Sequence, residues 1–381
     1  MEFDKIMNMS PDEQPVINRS RDRHFPTRII KRGTGIHPLL RDGRALELTV
    51  PFQRRTVGLE EFMERARTAG LLILKDGRIL HESYRLGTDE TSRWYSYSVG
   101  KSVVSTLVGA AIHQGHIGSV EDPVIDYLPI LRGSAYDGTT IRHLLQMSSG
   151  VFWEEAYRDG QSVFARMYDA IRQQRAGGII EVMRGLPRVA EPGAKFQYKT
   201  GETHILAEIL HAATGRRLSD YLSERIWSHF GMEADGFWCL ESAGGQETGG
   251  GSCNFTLRDC GRFGLFILND GVAGGERILP EGWVAEASHP LADAPHSDYG
   301  KIEQGWPLGY GYQWWSFPKG GKAPGNHDGA FTGIGIFGQF LYINPKERVV
   351  IVHWGCWPDP WIAGHERALF ALFGNAVEAL R

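Results

Sequence analysis

The chain has 381 residues, with 41 lysines and arginines against 45 aspartates and glutamates, a formal net charge of −4 and 42% hydrophobic content. That is enough apolar material for a large core, as two domains or one domain with an insertion, and the slight acidity argues against a nucleic-acid partner; Arg19 to Arg23 reads as a patch of surface salt bridges. No apolar run approaches a membrane span, and Met1-Glu2-Phe3-Asp4-Lys5 lacks the apolar region of a signal peptide, so a soluble, cytoplasmic protein is expected.

Residues 1–55 are polar, contain Pro and Arg, and are weakly periodic, which predicts an extended arm wrapped on the body. Leu59–Ala69 has a helical pattern. Leu71-Leu72-Ile73-Leu74, then Asp76-Gly77, then Ile79–Tyr84 predict a hairpin, because Asp-Gly favours the positive φ angles of a type I′ turn. After Ser98, the apolar positions Val103, Val104, Leu107, Val108 and Ala111 predict a core helix ending near Gly115.

From Asp122 to about Gly231 the patterns are mostly helical: Ile141–Met147, Ser162–Gln173, Thr203–Thr214 and Leu218–Trp227. Thr256-Leu257-Arg258-Asp259 resembles a capping box that opens a helix over 257–268. Tyr310–Ser316, Thr332–Ile343 and Arg348–Trp354 are strand candidates, and a helix from His365 to Leu380 closes the chain. This order predicts an α+β fold, an antiparallel sheet flanked by helices. Residues 56–115 and 232–381 would form the sheet-bearing α/β lobe and 116–231 a helical lobe, with the active site in the cleft between them.

The chemistry is carried by Ser98-Val99-Gly100-Lys101. Residues three apart lie on one helix face, so the Lys101 amine returns beside the Ser98 hydroxyl, and the helix N-terminus favours negative charge developing there. A lysine ahead of an almost wholly apolar helix is costly unless it is placed for a purpose. Two other motifs overlap these residues. Gly100-Lys101-Ser102 resembles the end of a phosphate-binding loop but has Tyr95 where that loop needs glycine. Ser96-Tyr97-Ser98-Val99-Gly100 is one glycine short of the nucleophile elbow of an α/β-hydrolase, which would recruit His353 or His365 and is the structural alternative.

A second proton-handling group must face the serine, and Tyr198, on a loop after Pro192-Gly193 and before the helix at Thr203, is the candidate. Cys239, Cys253, Cys260 and Cys356 show no C-x-x-C pair and fit free thiols in a reducing compartment. His81-Glu82 and His365-Glu366 lack the second histidine of H-E-x-x-H, so neither a metal nor another cofactor is expected.

The S-x-x-K segment, Tyr198-Lys199-Thr200, Asp122-Pro123-Val124, Tyr127-Leu128-Pro129 and Leu144 to Val151 together resemble the class C β-lactamase and penicillin-binding-protein superfamily of serine hydrolases, over about residues 60–380. Tyr136-Asp137-Gly138, Phe196-Gln197-Tyr198, Gly250-Gly251-Ser252-Cys253, Gln313-Trp314-Trp315, Gly333-Ile334-Gly335-Ile336 with Gly338-Gln339, and Trp357-Pro358-Asp359-Pro360 are similar to the 6-aminohexanoate-dimer (nylon-oligomer) hydrolases and related carboxylesterases. The resemblance implies hydrolysis of a linear amide or ester through an acyl-enzyme, with a carboxylesterase of little amidase activity and a noncatalytic cell-wall-peptide binder as the alternatives. Ser98 would be the nucleophile, Lys101 the base, Tyr198 the proton relay, and the backbone N–H groups of Ser98 and Ile336 the oxyanion donors. Trp153, Trp314, Trp315 and Gly335 would line the substrate site with Trp357, and Asp359 would meet a cationic substrate end. A small-molecule substrate is the expected partner, and a homodimer is left open.

Two departures from the family pattern bear on specificity. The third motif, K-T-G or H-x-G elsewhere, stands here as Gly333-Ile334-Gly335 and lacks the cation that would hold a β-lactam carboxylate; a competing placement makes His327-Asp328-Gly329 the H-x-G element. Trp153 stands where the nylon-oligomer hydrolases use a tyrosine that assists the amide leaving group. Amide cleavage should then suffer more than ester cleavage, because an amine leaves only once protonated.

Overall fold

The computed structural model describes residues 7–290, 308–321, 323 and 325–381, so the first six residues lie outside it. Its centre is a seven-stranded antiparallel sheet in the order Gly309–Tyr310, Trp315–Ser316, Phe331–Gly335, Gln339–Asn344, Val349–Gly355, Thr68–Lys75 and Arg78–Tyr84. The Asp-Gly hairpin forms as expected, with φ of 50° at Asp76 and 77° at Gly77. It joins the sheet through Thr68–Lys75, which pairs with Val349–Gly355 near the other end of the chain.

Leu71 to Leu74 read as one unbroken apolar run because both sheet faces are covered. Leu72 and Leu74 pack into one core with Leu341, Val350 and the helix Leu257–Leu268; Leu71 and Ile73 pack into the other with Phe340, Ile351 and the C-terminal helix Ala363–Ala379. The helix Val99–His113 is buried from Val99 through Ala111, and Thr256 caps the helix Leu257–Leu268 through the Asp259 N–H at 3.1 Å.

Several boundaries differ from expectation for identifiable reasons. The helix at Leu59 stops at Arg65, because Arg67 takes a φ of 51° and Thr68 starts the strand. The run 332–343 is a hairpin, turning at Phe337 (φ 62°) and Gly338 (φ 90°). Tyr310 and Trp315 likewise sit on two short paired strands, with Gln313 at φ 61° between them. The N-terminal segment holds the helix Glu13–Arg19 and the strand Thr27–Ile30. That strand joins Gly236–Cys239, Cys253–Phe255 and Trp94–Tyr95 in a second, four-stranded sheet that the sequence pattern did not suggest. Between 116 and 231 the described elements are helices, including Ile141–Leu145, Val163–Arg172, Gly178–Arg184 and Thr200–Thr214.

The all-antiparallel central sheet removes the α/β-hydrolase alternative. His353 is fully buried, with Nε2 2.9 Å from Thr68 Oγ1 and Nδ1 2.8 Å from the Gly338 carbonyl, and it serves the sheet.

Candidate functional site

The short strand Trp94–Tyr95 of the second sheet leads directly to the serine. Tyr97 takes a φ of 46°, a strained conformation for an aromatic residue, and turns the chain so that Ser98 stands at the start of the helix Val99–His113, partly exposed to a cleft. One turn on, Lys101 is 1% exposed, and its Nζ donates to Ser98 Oγ at 2.8 Å and to the Gly250 carbonyl at 2.6 Å.

That second contact depends on close backbone approach. A Cβ at Gly250 would lie 2.4 Å from Thr200 Cγ2, and one at Gly100 would lie 3.0 Å from both Cys253 Sγ and Gly251 Cα. Burial lowers the Lys101 amine to about 8, against an upward pull from Glu155. About a tenth is then the free base at pH 7, several hundredfold more than for an ordinary lysine.

Tyr198 approaches from the opposite side. Its hydroxyl interacts with Ser98, and its ring centroid is 4.9 Å from Lys101 Nζ. Burial, and then the Glu155 charge, push the phenol above its ordinary range, so it remains protonated and can relay or donate a proton. Trp315 stacks on Tyr198, with centroids 5.8 Å apart and planes at 21°.

Ile336, just past the strand Phe331–Gly335, lines the same cavity as Ser98, Glu155, Thr200, His204 and Gly250. Gly335 packs against the backbone entering the nucleophile: a Cβ there would lie 2.9 Å from the Ser96 carbonyl oxygen. His327 stacks on Phe317 and shares a 2.9 Å hydrogen bond with Tyr342 in the core against the C-terminal helix, so Gly333-Ile334-Gly335 is the segment that borders the serine.

The other named aromatics lie deeper. Trp314 is 2% exposed and edge-on to Phe331, while Trp357 is buried against Gly338 and Phe340. Trp153 is buried, and its Nε1 donates to Glu155 Oε2. Asp359 is half exposed and pairs with Arg158 at 2.7 Å.

Glu155 is the residue that sequence reasoning missed. Its carboxylate accepts the Thr200 N–H at 3.0 Å, the Thr200 hydroxyl and the Trp153 indole, which anchors it at the N-terminus of the helix Thr200–Thr214. The hydroxyl of the Tyr-x-Thr motif is thus spent on Glu155. A polar residue two positions after Trp153 was the one available signal. His204, Glu208 and Glu241, adjoining the cavity, are the described residues whose donor atoms could surround a cation.

Residues 59–354 match the family model described as Beta-lactamase. The chain is 34% identical over 313 residues to the 6-aminohexanoate-dimer hydrolase of Paenarthrobacter ureafaciens, covering 80% of this chain and 77% of that protein. Among solved structures, a candidate 6-aminohexanoate-dimer hydrolase from Bacillus anthracis superposes with a TM-score of 0.81 at 24% identity, covering 95% of this chain and 93% of the other. A family VIII carboxylesterase gives 0.58 at 19% identity over 81% and 94%. With the S-x-x-K helix, the antiparallel sheet and a match spanning most of its length, the chain belongs to the beta-lactamase family.

Proposed function

We propose that the protein is a serine hydrolase that cleaves a linear amide or ester through an acyl-enzyme. The observation that carries this is the 2.8 Å contact between a buried, pKa-lowered Lys101 amine and Ser98 Oγ, with the Tyr198 hydroxyl on the other side. Lys101 takes the Ser98 proton directly or through Tyr198, and Ser98 attacks the substrate carbonyl. The backbone N–H groups of Ser98 and Ile336 hold the oxyanion, and Tyr198 protonates the leaving group. Water then repeats the sequence on the acyl-serine and frees the acid.

The cleft lies between the sheet-bearing lobe (56–115 and 232–381) and the helical lobe (116–231) in this reading. Trp315 and Gly335 shape the substrate site beside Ser98, and Asp359 with Arg158 stands at its rim. A cytoplasmic setting fits the four cysteines, all buried and unpaired, and no described helix is long and apolar enough to cross a membrane. A homodimer remains part of the proposal.

The likeness to a 6-aminohexanoate-dimer hydrolase puts short linear amides first among substrates. A specific observation favours the ester reading beside it: Trp153 is sequestered with its N–H on Glu155, so it cannot serve an amine leaving group.

A fluorophosphonate probe tests the chemistry. It should label the protein, and the label should disappear together with turnover in Ser98→Ala. Labelling that persists in that variant would remove the assignment. Parallel turnover of p-nitrophenyl esters and of the 6-aminohexanoate linear dimer then ranks the two substrate classes.

A further inference from the structure

The helix Thr200–Thr214 sets His204 and Glu208 one turn apart on the same face, and the loop following the strand Gly236–Cys239 brings Glu241 across to them. His204 Nε2 lies 3.7 Å from Glu208 Oε1 and 3.8 Å from Glu241 Oε2, and one donor atom from each of the three falls within 4.8 Å of the others. His204 is 1% exposed and Glu241 2%, yet neither His204 Nε2 nor Glu241 Oε2 has a hydrogen-bond partner. Buried polar atoms left unpartnered in this way call for an explanation.

We infer that His204, Glu208 and Glu241 bind one divalent transition-metal cation, in the class of Zn²⁺, beside the cavity that holds Ser98.

Three features support this. The far sides of two ligands are already held: His204 Nδ1 accepts the Gly249 N–H at 3.4 Å, and Glu241 Oε1 accepts the Gly177 N–H at 2.7 Å. With Nδ1 accepting the Gly249 N–H, the proton of a neutral ring sits on Nε2 between the two carboxylates, and a metal bound there would take its place. The charge balance also calls for a cation. Two carboxylates converge on the ring, and Arg217, whose charge reaches both, makes no direct ion pair with either among the described residues.

Finally, one imidazole with two carboxylates suits Zn²⁺, Mn²⁺ or Co²⁺ better than Ca²⁺ or Mg²⁺, which prefer all-oxygen shells. Ligands about 2.1 Å from a tetrahedral Zn²⁺ lie about 3.4 Å apart, so the triad closes around the ion with a small shift of the more exposed Glu208 side chain. The site adjoins the chemistry, because Gly249 immediately precedes the Gly250 carbonyl that receives Lys101. The inference concerns binding and stands independently of the hydrolase reading.

Full-length protein stripped with EDTA and dialysed would be titrated with ZnCl₂ by calorimetry, with CoCl₂ as the absorption probe. One equivalent should bind with a Kd below about 10 μM, and Glu208→Gln and Glu241→Gln should each weaken binding by about tenfold or more. Wild-type protein that takes up no Zn²⁺ at about 100 μM overturns the inference. So does stoichiometric uptake left unchanged in both variants, which places the ion on other histidines. If Glu241→Gln does not fold, Glu208→Gln, at the most exposed of the three positions, decides alone.

Discussion

Arg21 donates through Nη2 to the hydroxyl oxygen of Tyr97 at 3.2 Å, and so fixes the residue immediately before the nucleophile. Tyr97 in turn donates to Asn18 Oδ1 at 3.1 Å, and the guanidinium lies 4.2 Å from the Tyr95 ring centroid. The N-terminal segment therefore clamps the strained turn that presents Ser98. Arg21→Met replaces a fully buried cation by an apolar chain of similar length, so the melting temperature should hold or rise. The rate of fluorophosphonate labelling should nevertheless fall about tenfold as the turn loses its anchor. An unchanged labelling rate would show that Tyr97 is held by its packing alone.

Activity should follow the free-base form of Lys101, so kcat/KM is expected to rise with pH through about 8 and then level. Glu155 pulls that pKa upward, and Glu155→Gln removes the pull; the midpoint should move to lower pH. A pH–rate profile of the two proteins on one ester checks the direction, and a shift to higher pH contradicts it.

Lys101→Met should abolish turnover, by about a thousandfold or more, without unfolding the protein. The amine is lowered from 10.5 to about 8 by burial, which costs the fold roughly 3 kcal/mol wherever lysine is charged in both states. That cost is full below pH 8 and disappears as pH rises from 8 to 10.5, where the folded state sheds a proton that the unfolded chain still holds. Against Lys101→Met, wild type should therefore gain relative stability across that window, as read by urea unfolding at several pH values. A constant difference would mean that Lys101 is not buried as a charge.

Gly250→Ala places a methyl group 2.4 Å from Thr200 Cγ2 and 2.7 Å from the Thr200 carbonyl oxygen. The strain should cost about 1–3 kcal/mol and displace the carbonyl that orients Lys101, so kcat falls while the protein still folds. Urea midpoints with single-turnover rates separate the two effects.

Much of this site was legible because its chemistry is local. Ser98 and Lys101 share one helical turn, and the apolar positions that follow announce a buried helix. Tyr198 was found by the need for a proton relay, and its placement follows from a Pro-Gly turn before a helix. Glu155 was not legible: its role depends on a contact with Thr200, 45 residues away, and its position two residues after Trp153 does not by itself reveal that contact. The hairpin at 336–338 was read as one strand because apolar residues flank both sides of its turn, and Gly338 is only one of three glycines in the run. The second sheet was missed because its strands are short and drawn from residues 27, 94, 236 and 253, so each looks like loop when taken alone. The aromatic positions could be counted but not sorted, since Trp314 in the core and Trp315 on Tyr198 are adjacent in the chain and differ only in which face of one strand end they occupy.

The bond between Thr68 Oγ1 and His353 Nε2 joins residues 285 positions apart, at the seam where an early strand meets a late one. During synthesis, the hairpin 68–84 emerges long before its partner Val349–Gly355 exists, and it must wait with an unpaired edge available to other chains. The sheet that backs the serine closes only once residues 349–355 are available to pair. Any chain cut short between residues 84 and 349 would keep that edge open and lack the sheet behind Ser98.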